Sequence, residues 1–129
     1  MIKTNYYIST RVGNQFDVKE VSGRAEIVTS GLDRYFIGYH KAGSATWTAT
    51  ELRSGLALCF EPTLKATKEK VLEMISGGAV KSAMELESYY KQRDKFIDWL
   101  FEHNKQDSDI PQVVETLIRQ ENKNENKRH

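Results

Sequence analysis

Few residues in this chain have side chains that could carry a reaction: the 129 residues include one cysteine and three histidines. Cys59 and His40 both fall in candidate strands of one predicted meander, so a thiol nucleophile and an imidazole base could be neighbours. Cys59, however, stands in the apolar run LALCF and is typical of a small core residue. His40 closes a strand beside a turn. We therefore expect a core cysteine and an exposed histidine rather than a catalytic pair.

Two pairs of carboxylates are the next candidates for chemistry. Glu85 and Glu87 lie close in sequence, and Asp94 and Asp98 fall four residues apart on one helical face. Lysine and arginine residues are interleaved with them, which is typical of a solvated helix surface. Acid–base catalysis would also need a pocket and shifted pKa values. We interpret both pairs as surface residues.

Recognisable cofactor and metal motifs are absent from the sequence. There is no G-x-x-x-x-G-K-[ST] phosphate loop, no G-x-G-x-x-G and no G-x-S-x-G. A structural zinc site needs four ligands at recognisable spacing, and His40, His103 and the terminal His129 are far apart in sequence. We expect a protein that is not an enzyme and that holds neither a metal nor a cofactor.

Basic residues are concentrated in the middle of the chain. The net charge is +1, but residues 34–70 hold six basic and three acidic side chains, and residues 71–110 hold five basic and eight acidic ones. Proteins that read DNA with a sheet use basic and aromatic side chains on its exposed face. The candidates for nucleic-acid contact are Arg34, Tyr39, Lys41, Trp47 and Arg53. The alternative is that Trp47 and the tyrosine belong to the core and the basic groups are ordinary surface.

The order of elements in residues 34–76 is strand, turn, strand, tight turn, strand and capped helix. This order resembles small modules of a three-stranded sheet and a helix, such as the arm-binding domains of phage integrases. Some of these modules lay the sheet in the major groove. The resemblance implies a small DNA-binding module that uses residues 34–60.

Aromatic residues are dense between positions 89 and 101. One helix face can bury only some of them against a sheet, and tyrosine and tryptophan are favoured in binding interfaces. The candidates for a protein-binding patch or a homodimer seam are Tyr89, Tyr90, Phe96, Trp99 and Phe101. The alternative is a long helix that crosses the whole sheet, with the last helix packed on its other side.

The segment WTATELRSGLALC, followed by TKEKVLEMI, resembles the small accessory proteins of phages and mobile elements in Gram-positive bacteria. Many such proteins act without catalysis, and CRISPR–Cas inhibitors are one group of them. The resemblance implies a non-enzymatic protein-binding factor. Its expected partner is a host or defence protein or a nucleoprotein complex such as CRISPR–Cas.

The pattern of residues predicts an α+β fold, with an antiparallel β-meander in the N-terminal half followed by two or three α-helices. Thr4–Val12 is rich in strand-forming residues, and Gly13-Asn14 and Ser22-Gly23 are turn signals. In the clearest strand Tyr35, Ile37 and Tyr39 share one face and Phe36 takes the other.

In the second half, apolar residues recur at helical spacing. Residues 79–104 contain neither glycine nor proline and predict one helix of about 26 residues, whose apolar stripe is interrupted by Arg93. A last helix begins near Pro111. We predict a single domain over residues 1–118, with a sheet part at 1–62 and a helical part at 63–118. The polar residues 119–129 are expected to lack regular structure.

Composition indicates the compartment. One cysteine cannot pair within the chain, which favours a reducing environment. No apolar run approaches the ~18 residues of a transmembrane helix, and the N-terminus has no apolar stretch of the kind found in signal peptides. We expect a cytoplasmic protein with no membrane partner.

Overall fold

The first half of the chain forms one five-stranded sheet in a computed structural model that describes residues 1–127. The strands are β1 Ile2–Val12, β2 Gln15–Ser30, β3 Asp33–Ala42, β4 Thr46–Glu51 and β5 Leu56–Glu61. They are antiparallel and lie in chain order, with each strand paired to the next. The predicted α+β class with an N-terminal meander is confirmed.

Glycines mark the strand connections, as the sequence predicted at Gly13, where φ is +65°. The turn predicted at Ser22-Gly23 is wrong, because β2 runs straight through it. Gly23 serves a different purpose, since a Cβ atom there would lie 2.2 Å from the carbonyl oxygen of Tyr39. A glycine inside a strand can mark a close backbone approach as well as a turn.

Four helices follow in the described part of the chain, where two or three were predicted. They are α1 Leu64–Ser76, α2 Ala79–Met84, α3 Glu87–Glu102 and α4 Gln112–Lys127. The predicted single helix over 79–104 is interrupted at Glu85 and Leu86, where Leu86 has extended backbone angles of φ −78° and ψ 146°. The interruption lets Val80 of α2 and Tyr89 of α3 both reach buried positions.

Helix α4 also extends further than the sequence suggested. It continues through residues 119–127, which were expected to lack regular structure. Val113, Val114 and Leu117 anchor its first turns in the core. Arg119 then pairs with Glu115 one turn earlier, at 3.8 Å. Residues 128–129 of the predicted unstructured segment lie outside the described residues.

Helices cover both faces of the sheet. Tyr35, Ile37 and Tyr39 point to the face covered by α1 and α2, where they pack with Val71 and Val80. Phe36 points to the opposite face and packs with α4. The alternation predicted for β3 is therefore confirmed, and each face of this strand has its own hydrophobic core.

Helix α3 packs against the sheet near the β4–β5 turn. Phe96, Ile97 and Leu100 of α3 form a core cluster with Val18 of β2. The backbone N–H of Ser9 in β1 donates a 2.9 Å hydrogen bond to the carbonyl oxygen of Gly55. The sheet thus curls until its first strand meets the turn between its last two, and α3 packs beside that junction.

Candidate functional site

The five residues predicted to contact nucleic acid do not share one surface. Tyr39 is 1% exposed and belongs to the core. Lys41 and Trp47 are cross-strand partners at one end of the sheet. Arg34 and Arg53 approach the ring of Phe36, on the opposite face. In this fold, the five side chains therefore cannot all contact DNA from one face of the sheet formed by residues 34–60.

The predicted aromatic patch is divided in a similar way. Phe96 is 1% exposed, and Tyr89 is buried, so these two are core residues rather than interface residues. Trp99 is half-buried and stacks on His103, with 3.8 Å between the ring centroids. Tyr90 and Phe101 are 45% and 39% exposed. Of the five candidates, only Tyr90 and Phe101 are exposed.

His40 and Cys59 are not brought together. His40 lies on the Phe36 face of the sheet and is buried, not exposed as the sequence suggested, while Cys59 packs on the Tyr39 face. Burial lowers the pKa of the His40 imidazole, and nearby Lys19 lowers it further. Burial and then Glu61 raise the pKa of the Cys59 thiol, and Lys70 partly opposes them. The sheet itself separates the thiol from the imidazole.

The carboxylates of α3 also have surroundings that the sequence did not indicate. Asp94 and Asp98 line a groove of about 590 Å³ between α3 and the start of α4, together with Asp109 and Ile110. We call these four residues the acidic groove. Within residues 1–127, no group of three or more histidine, cysteine, aspartate or glutamate side chains is placed to hold a metal ion.

The acidic groove continues into a second cleft through Arg53 and Arg93, which line both. This second cleft measures about 350 Å³. Side chains from five parts of the chain meet in it: the β2–β3 turn, the start of β3, the β4–β5 turn, α2 and α3. We call it the arginine cleft, and its defining residues are Leu32, Arg34, Arg53, Lys81, Tyr90 and Arg93.

A buried carboxylate holds the floor of the arginine cleft in place. Glu51 is 2% exposed. It accepts hydrogen bonds of 2.8 Å from the Ser54 backbone N–H, from the Ser54 hydroxyl and from the Tyr89 hydroxyl. Three donors on one carboxylate compensate for the cost of burying its charge. The network therefore ties α3 to the β4–β5 turn and fixes the spacing of Arg93 and Arg53.

The charges of both arginines act on the Tyr89 hydroxyl. Burial raises its pKa, and Glu51 raises it further, while both Arg53 and Arg93 lower it. The hydroxyl therefore keeps its proton and acts as a donor to Glu51 at neutral pH. Tyr89, Arg53 and Arg93 all line the arginine cleft.

Aromatic rings orient the guanidinium groups of the cleft. The Arg53 guanidinium carbon lies 4.8 Å from the centroid of the Phe36 ring, and that of Arg93 lies 5.0 Å from the centroid of Tyr90. Stacking of this kind restricts a guanidinium while leaving its N–H groups free to donate. A carboxylate or phosphate that enters the cleft meets donors that are already oriented.

The charges of the cleft are only partly neutralised. Arg34 pairs with Glu121 of α4, and Lys81 pairs with Asp33 at 3.1 Å. Within residues 1–127, Arg93 pairs only with its sequence neighbour Asp94, at 3.9 Å. Arg53 forms no ion pair with any residue of the described part of the chain. The carboxylates Asp33 and Glu85 also line the cleft, against four cations, so the cleft keeps an excess of positive charge.

Three residues of the arginine cleft were missed at the sequence level: Leu32, Lys81 and Arg93. One signal for Arg93 was present, since this residue interrupts the apolar stripe of the predicted helix. Leu32 is fully exposed (102% of its reference area) at the β2–β3 turn. An exposed leucine next to a stacked arginine and tyrosine is a mixed surface of the type found in protein interfaces.

Comparison of the chain with protein-family models, with curated proteins and with solved structures found no match. The chemistry of the site itself is therefore the guide to function. No helix in the described residues is both long enough and apolar enough to cross a membrane.

Proposed function

We propose that this protein is a non-enzymatic binding factor that holds an acidic segment of a partner protein in the arginine cleft. The observation that carries the proposal is the pair Arg53 and Arg93, each stacked on a ring and together lacking a strong ion pair within residues 1–127. Arginine forks bind carboxylates through two parallel N–H···O bonds. An acidic side chain is the group that satisfies both arginines.

Apolar contacts would supply the rest of the affinity. Leu32 and Tyr90 flank the arginines and are exposed. Interfaces gain most of their binding energy from a few tyrosine, tryptophan and arginine residues at the centre of a patch. We therefore expect the bound segment to carry an aliphatic or aromatic side chain within a few residues of its carboxylate.

The acidic groove sets the direction of such a segment. Arg53 and Arg93 line both clefts, whereas Asp94, Asp98 and Asp109 line only the acidic groove, so carboxylates are concentrated in that groove and cations in the arginine cleft. A partner segment with a carboxylate at one end and a lysine or arginine at the other would match both. A reversed segment would place like charges together, which costs affinity and so provides specificity.

The biological class of the partner is a further part of the proposal. A phage-type inhibitor or regulator of a host nucleoprotein complex, such as CRISPR–Cas, needs a surface that captures a protein segment and needs no catalytic group. The arginine cleft supports this role by its chemistry. Host and defence complexes are therefore the first partners to test.

Peptide display tests the proposed function without a known partner. A library of random peptides is selected on the full-length protein, and the enriched peptides are then counted on the variant Arg53→Ala/Arg93→Ala. We expect enriched peptides to contain aspartate or glutamate beside an apolar residue, and to be lost on the variant. The control variant Lys65→Ala/Lys95→Ala removes the same charge from exposed helix positions and should retain them. Enriched peptides that bind all three proteins equally would contradict the proposal.

A further inference from the structure

A second basic surface lies on the part of the sheet that α1 and α2 leave open. The strand register places Lys3 opposite Arg24, and Lys41 opposite Trp47. Arg24 is in turn opposite Tyr39, which shares its face with Lys41. All four side chains therefore belong to one face of β1–β4, and they line one cavity of about 460 Å³. We call Lys3, Arg24, Lys41 and Trp47 the basic sheet face.

The charge of this face is uncompensated. The other residues that line the cavity are Thr4, Asn5, Ser22 and Gly23, so no carboxylate is among them. None of the three cations forms an ion pair with a residue in the range 1–127. Lys3 and Lys41 are exposed. The cavity therefore attracts anions, and no carboxylate among residues 1–127 lines it to compete with them.

The spacing of the cations fits a chain of phosphates better than a single anion. Lys3, Arg24 and Lys41 come from three consecutive strands, and Lys41 lies two residues beyond Tyr39, the partner of Arg24, so the Cα atoms of the outer pair are more than about 10 Å apart. A single small anion would have to draw these side chains together. An extended polyanion contacts all three at once.

Trp47 adds a surface on which a base can stack. The ring packs on the hydrophobic core through one side and is half-buried, and its remaining edge lines the cavity with Lys41. Stacking of a base on an aromatic side chain tolerates any sequence, because every base presents an aromatic face. Asn5 and Ser22, joined by a 2.7 Å hydrogen bond, supply polar atoms at the rim.

We propose that the basic sheet face binds single-stranded nucleic acid, with the phosphates at Lys3, Arg24 and Lys41 and one base against Trp47. A duplex is disfavoured, because its bases are already stacked and cannot pack against Trp47, and because no helix or loop of residues 1–127 projects from this sheet face into a groove. The occupant is identified by the combination of three cations with a tryptophan edge. This binding site is separate from the arginine cleft, with which it shares no lining residue.

Fluorescence anisotropy with labelled oligothymidylate and the full-length protein tests the proposal. Three phosphate contacts predict a salt slope of about −2, so affinity should fall roughly twentyfold between about 50 mM and 200 mM salt. The variant Lys3→Glu/Lys41→Glu should lose about tenfold or more in affinity. The control Lys65→Glu/Lys95→Glu has the same net charge and should stay within about threefold of the wild type, since its changes lie on exposed helix positions.

Tryptophan fluorescence separates stacking from charge attraction. The chain has two tryptophans, so Trp99→Phe isolates the emission of Trp47. Oligothymidylate should quench this emission, and a duplex of equal length and polyglutamate should not. Absence of binding at low salt, equal loss in both lysine variants, or equal binding of polyglutamate would overturn the proposal. The variant Arg53→Ala/Arg93→Ala should bind the oligonucleotide normally, which distinguishes this site from the arginine cleft.

Discussion

The Tyr89 hydroxyl donates a 2.8 Å hydrogen bond to the buried carboxylate of Glu51, 38 residues earlier in the chain. This contact joins α3 to the end of β4, and so it determines where Arg93 stands relative to Arg53. The sequence made Tyr89 a candidate for a protein interface. In the structure it is buried and supports the arginine cleft through this hydrogen bond.

Tyr89→Phe is therefore expected to lower the free energy of unfolding by about 1–3 kcal/mol, because a buried carboxylate loses one of its donors. Urea unfolding measures this change. Tyr90→Phe is the matched control, since Tyr90 is the adjacent and exposed tyrosine, and it should cost less than about 0.5 kcal/mol. Equal effects of the two changes would show that the hydrogen bond to Glu51 contributes nothing.

Part of this fold follows directly from the sequence. Period-two alternation in Tyr35–Tyr39 predicted which side chains share a face, and the glycine turns predicted the antiparallel meander. These features are local, so neighbouring residues are enough to predict them. The turn prediction at Gly23 was wrong because this glycine is required by a long-range contact. Its close approach to Tyr39 involves a strand that is distant in sequence.

The arginine cleft depends on long-range contacts, which the sequence pattern does not contain. Helical spacing alone could not show that the chain breaks at Leu86, and that break decides which aromatic residues of α3 are buried. The sequence therefore named Phe96 and Tyr89 as candidates for an interface, although both are buried. Arg53 was identified from its charge, but its neighbour Arg93 comes from an element 40 residues away.

Gly55 offers a second test of the junction between β1, α3 and the β4–β5 turn. Its φ is +72°, and a Cβ atom would lie 2.6 Å from Phe96 and 2.7 Å from the Ser9 backbone nitrogen. Gly43 has a φ of +68° and nothing within 4 Å. Gly43→Ala should therefore cost only the backbone strain, about 1–2 kcal/mol, and Gly55→Ala should cost clearly more. Thermal or urea unfolding of the two variants measures the difference, and similar costs would contradict the close packing at Gly55.

His40 should make stability depend on pH. Burial and Lys19 lower the pKa of its imidazole in the folded state below the ordinary value of 6.5. The unfolded chain therefore binds a proton first as the pH falls, and the free energy of unfolding decreases from about pH 6.5 downward until the folded-state pKa is passed. His40→Gln should flatten this part of the curve, as measured by urea unfolding across the range from pH 8 to about 5. An unchanged slope would show that other groups cause it.

Cys59 should react slowly in the folded protein. Burial and Glu61 raise the pKa of its thiol, which lowers the fraction of reactive thiolate. Its rate of modification by a disulfide reagent near pH 8 should rise about tenfold or more when urea unfolds the chain. A native rate equal to the unfolded rate would mean that the thiol is activated, and it would revive Cys59 as a candidate nucleophile.

Calorimetric titration of a selected acidic peptide into the wild type, Arg53→Lys/Arg93→Lys and Lys65→Ala/Lys95→Ala tests most directly whether the arginine cleft binds acidic segments. The lysine variant keeps the charge but loses the planar fork and the stacking. We expect it to weaken binding by about tenfold or more, or about 1.4 kcal/mol, and the control variant to bind like the wild type. Equal affinity of all three proteins would contradict the claim that the arginine cleft is the binding site.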